Sequence, residues 1–260
     1  MTDQVSIVVL TGGVGGAKLV EGLSRIVDPD RICAVVNTGD DFDHFGLRIC
    51  PDIDTLVYTL AGLADPVRGW GRVDETWNFM FALEQLGAPA WFSLGDRDLA
   101  MHVLRSQRLN MGESLSSITL DHSRRLGVDM HIAPMSDFQV ATKIHTDHGV
   151  LDFQAYFVEH RCLPVIRSIS FAGSGHARPS VAVVEALRSP NLEAIIIAPS
   201  NPWLSIDPIL AVPDIKRLIE AAEVPVIAVT PLPGGRAVKG PTAKIMDELG
   251  IEKSAQSIVD

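Results

Sequence analysis

Short apolar runs alternate with amphipathic stretches along the chain, and this pattern predicts a β-sheet covered by helices. The β-branched run from Val5 to Leu10 is followed by a glycine-rich turn and an amphipathic stretch that extends through Ile26. The strand pattern then returns at Ile32 to Val36. A strand, a helix and a second strand in this order form a βαβ unit, which implies parallel strands joined by a right-handed crossover. The alternation resumes from about Ser180, so both ends of the chain are expected to build one sheet.

The middle of the chain has a different pattern. From Asp65 to about Leu126 the apolar periodicity is helical, with aromatic residues interspersed. Three later runs have strand character, namely Met130–Ile132, Val140–His145 and Val150–Val158. We therefore predict an α/β protein with a single domain over residues 1–260. Its core is a Rossmann-like, doubly wound and mainly parallel sheet, with an inserted helical and β-hairpin subregion at about residues 64–165.

Composition and charge narrow the class of protein. With 260 residues and 47% apolar content, the chain can bury a large core. No apolar stretch approaches the roughly 18 residues of a membrane span, and the N-terminus lacks the pattern of a secretory signal. We therefore expect a cytoplasmic protein that does not contact membranes. The net charge of −10 argues against a nucleic-acid-binding surface, because phosphate backbones are bound by clustered lysine and arginine.

The glycine loop after the first predicted strand is the first candidate ligand site. Gly12, Gly13, Gly15 and Gly16 would let main-chain N–H groups approach a phosphate, and the next helix would add its dipole. Lys18, one turn into that helix, would neutralise phosphate charge. The loop matches neither the Walker pattern nor the dinucleotide-binding fingerprint. The alternative interpretation is a tight turn without a ligand.

An acidic group follows the second predicted strand, and it comprises Asp40, Asp41, Asp43, Asp52 and Asp54. Carboxylates beside phosphates commonly hold Mg²⁺, which needs only one or two of them. We predict Asp52 and Asp54 as metal-binding residues. For Asp52 the alternative interpretation as the N-cap of a helix is the favoured one, whereas Asp54 is not needed as a cap and is the better functional candidate.

Further polar segments follow strands or open helices. Asn37 begins the loop after the second strand, and Asp96, Arg97 and Asp98 place alternating charges at a helix start, where an arginine fork would bind phosphate. Such charges are also routine at helix starts.

The two remaining segments both follow late strands. One contains Ser200 and Asn201, and the other is a second glycine loop with Arg236 and Lys239. Two glycine loops at strand ends suggest a long phosphate-bearing ligand between them, although either loop alone is explained by turn chemistry. We predict that residues 12–16 and 199–202 face one another across a cleft at the carboxyl ends of parallel strands.

Three tryptophans of the predicted insertion exceed what a short helical layer needs for its own packing. These are Trp70, Trp77 and Trp91. We expect some of them to line a ligand pocket or a homodimer interface.

Seven segments, in this order along the chain, carry a resemblance to a known family. They are Leu10–Leu19, Val36–Asp40, Pro51–Thr55, Leu94–Asp98, Pro134–Asp137, Pro199–Pro202 and Val238–Lys244. Together they resemble the 2-phospho-L-lactate transferase family of coenzyme F420 biosynthesis.

The resemblance implies transfer of a phosphorylated three-carbon acid from a guanosine diphosphate conjugate to the ribityl hydroxyl of the deazaflavin Fo, with GMP leaving. It also implies Mg²⁺ as cofactor, Asp54 as the catalytic residue in contact with Fo or the metal, and nucleotide binding by the loops at Gly12–Gly16 and Ser200–Asn201. Phospholactate, phosphoenolpyruvate and phosphoglycerate all remain open as the acid. The alternative is a non-catalytic, nucleotide-sugar-binding regulator of the same superfamily; residues 95–98 and 134–137 favour the transferase.

Overall fold

A computed structural model describes residues 4–232, 241–254 and 256–258 of the chain. Its strands are β1 (Ile7–Thr11), β2 (Ile32–Val36), β3 (Phe42–His44), β4 (Leu47–Ile49), β5 (His131–Pro134), β6 (Ala141–Thr146), β7 (Gly149–Asp152), β8 (Ile166–Ala172), β9 (Ala194–Ile197) and β10 (Val226–Ala228). Its α-helices are α1 (Gly13–Ser24), α2 (Pro51–Leu60), α3 (Asn78–Gln85), α4 (Asp96–Asn110), α5 (Leu115–Arg125), α6 (Val181–Leu187), α7 (Asp207–Leu210), α8 (Pro213–Ala221) and α9 (Thr242–Leu249). Within the described residues no helix is long and apolar enough to cross a membrane.

The central sheet has five parallel strands in the order β10-β9-β1-β2-β5. Every residue of β2 is buried, which is the pattern of a strand covered by helices on both faces. Alternate residues of β1 and β2 point into two different hydrophobic clusters. Helices α1 and α2 contribute to one cluster, and α6 and α8 contribute to the other. The predicted doubly wound α/β sheet is therefore confirmed.

The chain leaves this sheet twice, which corrects the single insertion predicted at about residues 64–165. The first excursion runs from β2 to β5 and contains the antiparallel β3–β4 hairpin and helices α2 to α5. The second lies between β5 and β9 and contains a three-stranded antiparallel sheet in the order β7-β6-β8. Strand β5 divides the excursions because it pairs in parallel with β2 in the main sheet.

Two local expectations in the second excursion also differ from the structure. The strand predicted at Val150–Val158 ends at Asp152, and a π-helical turn occupies Ala155–Glu159. Strand β8 was not predicted, because polar residues interrupt the segment Ile166–Ala172 and leave no continuous apolar run in the sequence. Strand β8 is defined instead by its antiparallel pairing with β6.

The register of the sheet brings three loops together. Thr11 at the end of β1 lies beside Val36 at the end of β2, and Leu10 lies beside Ile197 at the end of β9. The loops after β1, β2 and β9 therefore leave the same edge of the sheet next to one another. This edge, at the carboxyl ends of parallel strands, is where open α/β sheets bind ligands.

Candidate functional site

The loops after β1 and β9 are in direct contact. Ser200 Oγ donates a hydrogen bond to the Gly12 carbonyl oxygen (2.7 Å) and accepts one from the Gly12 N–H (3.2 Å). A Cβ atom on Gly15 would lie 2.8 Å from the Pro199 carbonyl oxygen. Both loops lie at the carboxyl edge of the sheet, as predicted, but the predicted cleft between them is wrong, because they are in direct contact.

Close packing requires three glycines of the first loop, namely Gly12, Gly15 and Gly16. A Cβ atom on Gly16 would lie 2.1 Å from Thr11 Oγ1, and one on Gly12 would lie 2.5 Å from Asp52 Oδ2. Gly13 differs, because a Cβ atom there would meet nothing within 4 Å; its φ of +63° is what favours glycine. The loop is therefore shaped by neighbouring side chains as well as by any ligand.

Asp52 does not cap its own helix, so that interpretation is wrong. Helix α2 begins at Pro51 with Cys50 at the N-cap position. The Asp52 carboxylate instead accepts hydrogen bonds from the Gly13 N–H (2.8 Å) and from Asn37 Nδ2 (3.0 Å). It therefore binds the N-terminus of α1, which is the position predicted for a phosphate.

Asn37 and Asn201 hold loops together. Asn37 Nδ2 also donates to the Leu204 carbonyl oxygen (3.2 Å), and its Oδ1 accepts from the Gly39 N–H (2.7 Å). Asn201 Oδ1 accepts from the Trp203 and Leu204 N–H groups, and its Nδ2 donates to Thr242 Oγ1 on α9 (3.1 Å). Both side chains, predicted to bind substrate, have their polar atoms engaged within the protein.

Four buried carboxylates meet at this edge. Asp40, Asp41, Asp52 and Asp54 are 5–9% exposed. Burial raises the pKa of Asp41 to about 8 and that of Asp52 to about 6. Burial and the charge of Asp52 both raise the pKa of Asp40. Oδ1 of Asp40 and Oδ1 of Asp41 have no hydrogen-bond partner within the part of the chain that the structure describes.

Asp54 forms a buried ion pair that sequence reasoning missed. Both of its carboxylate oxygens accept hydrogen bonds from Arg105 of α4, which is 2% exposed. Arg105 also donates to the Arg48 carbonyl oxygen (3.3 Å). Burial raises the pKa of Asp54, whereas the Arg105 guanidinium opposes that shift. The sequence places Arg105 on the same face of a predicted helix as His102 and Ser106. Only the tertiary structure shows that this polar face is buried.

His102 extends this network to Asp98 and α2. Its Nε2 lies 3.2 Å from Asp98 Oδ2, and its Nδ1 lies 3.6 Å from Asp54 Oδ2. Tyr58 donates a hydrogen bond to Asp98. Asp54, Asp98 and His102 place one possible metal ligand atom each within 4.8 Å of one another, but the Arg105 guanidinium already occupies the oxygens of Asp54.

The predicted residues Asp96 and Arg97 make no contact with the buried carboxylates. The Asp96 carboxylate accepts hydrogen bonds from the Asn78 and Phe79 N–H groups at the start of α3, and these bonds, after that from Thr76, lower its pKa to about 2. Glu75 binds the Arg97 and Asp98 N–H groups at the start of α4. Arg97 is exposed, as is Lys18 on α1. Arg236 and Lys239 lie outside the described residues.

The three tryptophans fall into two groups. Trp70 and Trp77 are edge-to-face with ring centroids 6.0 Å apart, and the Arg68 guanidinium lies over both rings. Trp91 packs with His44 of the β3–β4 hairpin, with centroids 5.3 Å apart. Trp70 is 48% exposed, so it still offers an aromatic surface to a ligand or a partner.

The fold is that of a doubly wound α/β protein with a glycine loop and buried carboxylates at its carboxyl edge, the edge at which such sheets bind ligands. The chain belongs to the 2-phospho-L-lactate transferase CofD family, whose sequence model matches residues 7–260. It is therefore an enzyme that transfers phospho-acid groups in coenzyme F420 biosynthesis. The regulator considered as an alternative is set aside.

Individual relatives agree with this assignment. The chain is 40% identical over 258 residues to a phosphoenolpyruvate transferase of Kitasatospora aureofaciens, covering 97% of this chain and 80% of that protein. It is 38% identical over 259 residues to one of Streptomyces coelicolor, covering 98% and 81%. A crystal structure from Bacillus halodurans has the same fold, with a TM-score of 0.60 at 18% identity over 86% of this chain and 68% of that one.

Proposed function

We propose that the enzyme moves a phosphorylated three-carbon acid from a guanosine diphosphate conjugate to the ribityl hydroxyl of Fo and releases GMP. The acid is phosphoenolpyruvate or 2-phospho-L-lactate. Phosphoenolpyruvate is favoured, because the relatives are named phosphoenolpyruvate transferases. A cytoplasmic location remains a prediction.

The buried carboxylate cluster is the observation that carries this proposal. Four buried aspartates lie at this edge, and Arg105, which pairs with Asp54, is the only buried lysine or arginine among the described residues. A diphosphate would add further negative charge, so a cation is needed between the carboxylates and the ligand. Mg²⁺ fits because it requires only one or two carboxylates and retains several waters.

The contacts select the carboxylates that would hold Mg²⁺. Asp40 has a buried oxygen without a partner in the described chain, and the charge of Asp52 acts on it directly. Asp54 is a poorer ligand than the sequence suggested, because the cationic guanidinium of Arg105 binds both of its oxygens. Each oxygen of Asp52 accepts one hydrogen bond from a neutral donor and keeps a second lone pair. We therefore assign Mg²⁺ to Asp40 and Asp52, where it would neutralise charge on the transferred phosphoryl group.

The nucleotide is proposed to bind at the loops after β1 and β9. Helix α1 begins at Gly13, and its N-cap residue provides no side-chain cap. Of the N–H groups in its first turn, Asp52 accepts a hydrogen bond from that of Gly13. The next N–H groups of the first turn have no partner within the helix and point towards a phosphate position. Lys18 is exposed one turn further along, where it would contact phosphate oxygens.

The reaction is an in-line displacement at phosphorus. The bond from phosphorus to the acceptor oxygen forms while the bond to the GMP oxygen breaks, and the hydroxyl proton passes to a carboxylate with a free oxygen. Catalysis then consists mainly of positioning and charge stabilisation. Asp54, predicted as catalytic, becomes in this proposal a positioning residue, which acts through Arg105 on the β4–α2 junction.

The test is to incubate the protein with Fo, Mg²⁺ and each guanylylated donor, and to measure the mass of the product. Asp40→Asn should reduce transfer by roughly a hundredfold or more. Asp43→Asn is the matched control, because Asp43 lies three residues after Asp40, in β3, with its side chain 62% exposed and paired with Arg48. No product with any donor would refute the proposed reaction, and equal activity of Asp40→Asn and wild type would refute the metal assignment.

We also propose that the protein is a homodimer. Helix α4 buries polar His102, Arg105 and Ser106, while Val103 and Leu104 on its outward side are 45% and 50% exposed. A helix whose apolar side chains face outward supports an interface with a second copy of the chain.

A further inference from the structure

The β3–β4 hairpin carries aromatic side chains that the proposed phosphoryl chemistry does not use. Strand β3 begins directly after Asp41, and β4 leads into Pro51 at the start of α2. Both ends of the hairpin therefore join the acidic cluster. We define the hairpin aromatic cluster as Phe42, His44, Phe45, Trp91 and Phe92.

Each of these five rings contacts at least one other ring of the cluster. His44 lies 4.1 Å from Phe45 and 5.3 Å from Trp91 between ring centroids, and Phe42 lies 4.8 Å from Phe92 in an edge-to-face arrangement. Phe42 and Phe92 pack against the small core formed by Ile49, Met80 and Leu94. Phe45 is 37% exposed, so this end of the cluster reaches the surface.

Phe45 is in an unfavourable position for the stability of the hairpin. His44 pairs with Leu47, which leaves Phe45 and Gly46 as a two-residue turn with φ values of 53° and 73°. Turns with two positive φ values favour asparagine, aspartate or glycine. A phenylalanine in the left-handed region costs about 1–2 kcal/mol. Hairpin stability alone therefore does not explain an aromatic residue at this tip.

His44 provides a second unexplained feature. Burial lowers its pKa, against a hydrogen bond to the main chain of Phe92, and this favours the neutral imidazole. Its Nε2 is buried and has no hydrogen-bond partner among the residues that the structure describes. A neutral imidazole that donates through one nitrogen to a carbonyl carries a lone pair on the other. His44 Nε2 is thus a buried acceptor that lacks a donor.

We propose that the hairpin aromatic cluster binds a planar heteroaromatic ring carrying an N–H or O–H group, which stacks on Phe45 and Trp91 and donates to His44 Nε2. The Phe45 ring contacts His44 at the exposed end of the hairpin, and this is the side from which the ligand would reach Nε2. This inference rests on the proposed function and assigns the ring to the deazaflavin acceptor. The loops proposed to bind the nucleotide follow β1 and β9, whereas the hairpin follows β2. In the central sheet β9 and β2 lie on opposite sides of β1.

Two variants test the inference without removing the carboxylates. His44→Phe keeps an aromatic ring but removes the acceptor, and Phe45→Asn removes the stacking ring but suits the positive φ. Each should weaken Fo binding by about tenfold, measured by fluorescence titration. GDP affinity, measured by calorimetry, should stay at the wild-type value in both variants, and the melting temperature of Phe45→Asn should be equal to or higher than that of wild type. Phe81→Asn is the matched control, since Phe81 is 62% exposed on α3 outside the cluster.

The outcomes separate this inference from the proposed function. Wild-type affinity for Fo in both variants overturns the inference, as does a parallel loss of Fo affinity, GDP affinity and melting temperature. If the wild-type protein binds Fo through these residues but forms no product with any guanylylated donor, the proposed reaction fails and the ring site stands. If the wild-type protein does not bind Fo, the assignment of the ring to the acceptor is refuted.

Discussion

The substitution Asp54→Asn tests the buried ion pair at the centre of the site. It removes the negative charge that binds Arg105, while that guanidinium stays 2% exposed. Breaking a buried pair by removing one partner costs about 3–5 kcal/mol, because the other charge is left uncompensated. A helix-terminal carboxylate that served only the dipole of α2 would cost at most about 1 kcal/mol. The two explanations therefore predict clearly different losses.

The measurement is thermal unfolding together with a double-mutant cycle. For a chain of this size a loss of 1 kcal/mol lowers the melting temperature by about 2–4 °C, so Asp54→Asn should melt about 6–20 °C below wild type. Arg105→Met alone should also destabilise, because it leaves Asp54 buried without its cation. The double variant Asp54→Asn/Arg105→Met should recover most of the loss, since neither member of the pair is then left as a buried charge without its partner.

Activity separates positioning from stability. Assayed well below its melting temperature, the double variant should fold but transfer at least tenfold more slowly than wild type, because the β4–α2 junction has lost its fixed contact. A melting temperature of Asp54→Asn within 2 °C of wild type would refute the energetic argument. A fully active double variant would show that the pair only stabilises the fold.

Three further predictions follow from the same contacts. Gly16→Ala should cost about 1–3 kcal/mol in a urea unfolding experiment, because its Cβ would lie 2.1 Å from Thr11 Oγ1; the control Gly22→Ala has open space and should be neutral or stabilising. Burial raises the pKa values of Asp41 and Asp52 to about 8 and about 6, so the folded state binds extra protons and stability in EDTA should fall as pH rises from about 4 to about 8. Added Mg²⁺ at pH 8.5 should restore stability. Equal unfolding midpoints at low pH in EDTA, at high pH in EDTA and at pH 8.5 with Mg²⁺ would contradict this prediction. Light scattering should report a dimer that Leu104→Glu converts to a monomer; an unchanged mass would count against the α4 interface.

The hydrophobic pattern determined the parallel sheet and the loops at its edge. Runs such as Ile32–Val36 are apolar at every position, and only a strand buried on both faces explains them. Glycine and polar residues directly after those runs mark the carboxyl edge, so the neighbourhood of Gly12–Gly16 and Ser200 followed from local sequence. The resemblance carried by the ordered motifs led to the same family that the full-length match identifies.

Tertiary structure alone decided the partners of the charged residues. Arg105 lies 51 positions from Asp54 in sequence, and no local rule turns an arginine of α4 towards the start of α2. Asp52 had the local signature of a helix cap, but the crossing of α1 and α2 offered it the Gly13 N–H, and a contact across the fold replaced the one within its own helix. Strand β8 was likewise defined by a neighbour rather than by its own pattern. Periodicity reports which face of an element is buried, whereas the identity of a long-range partner depends on how distant elements pack.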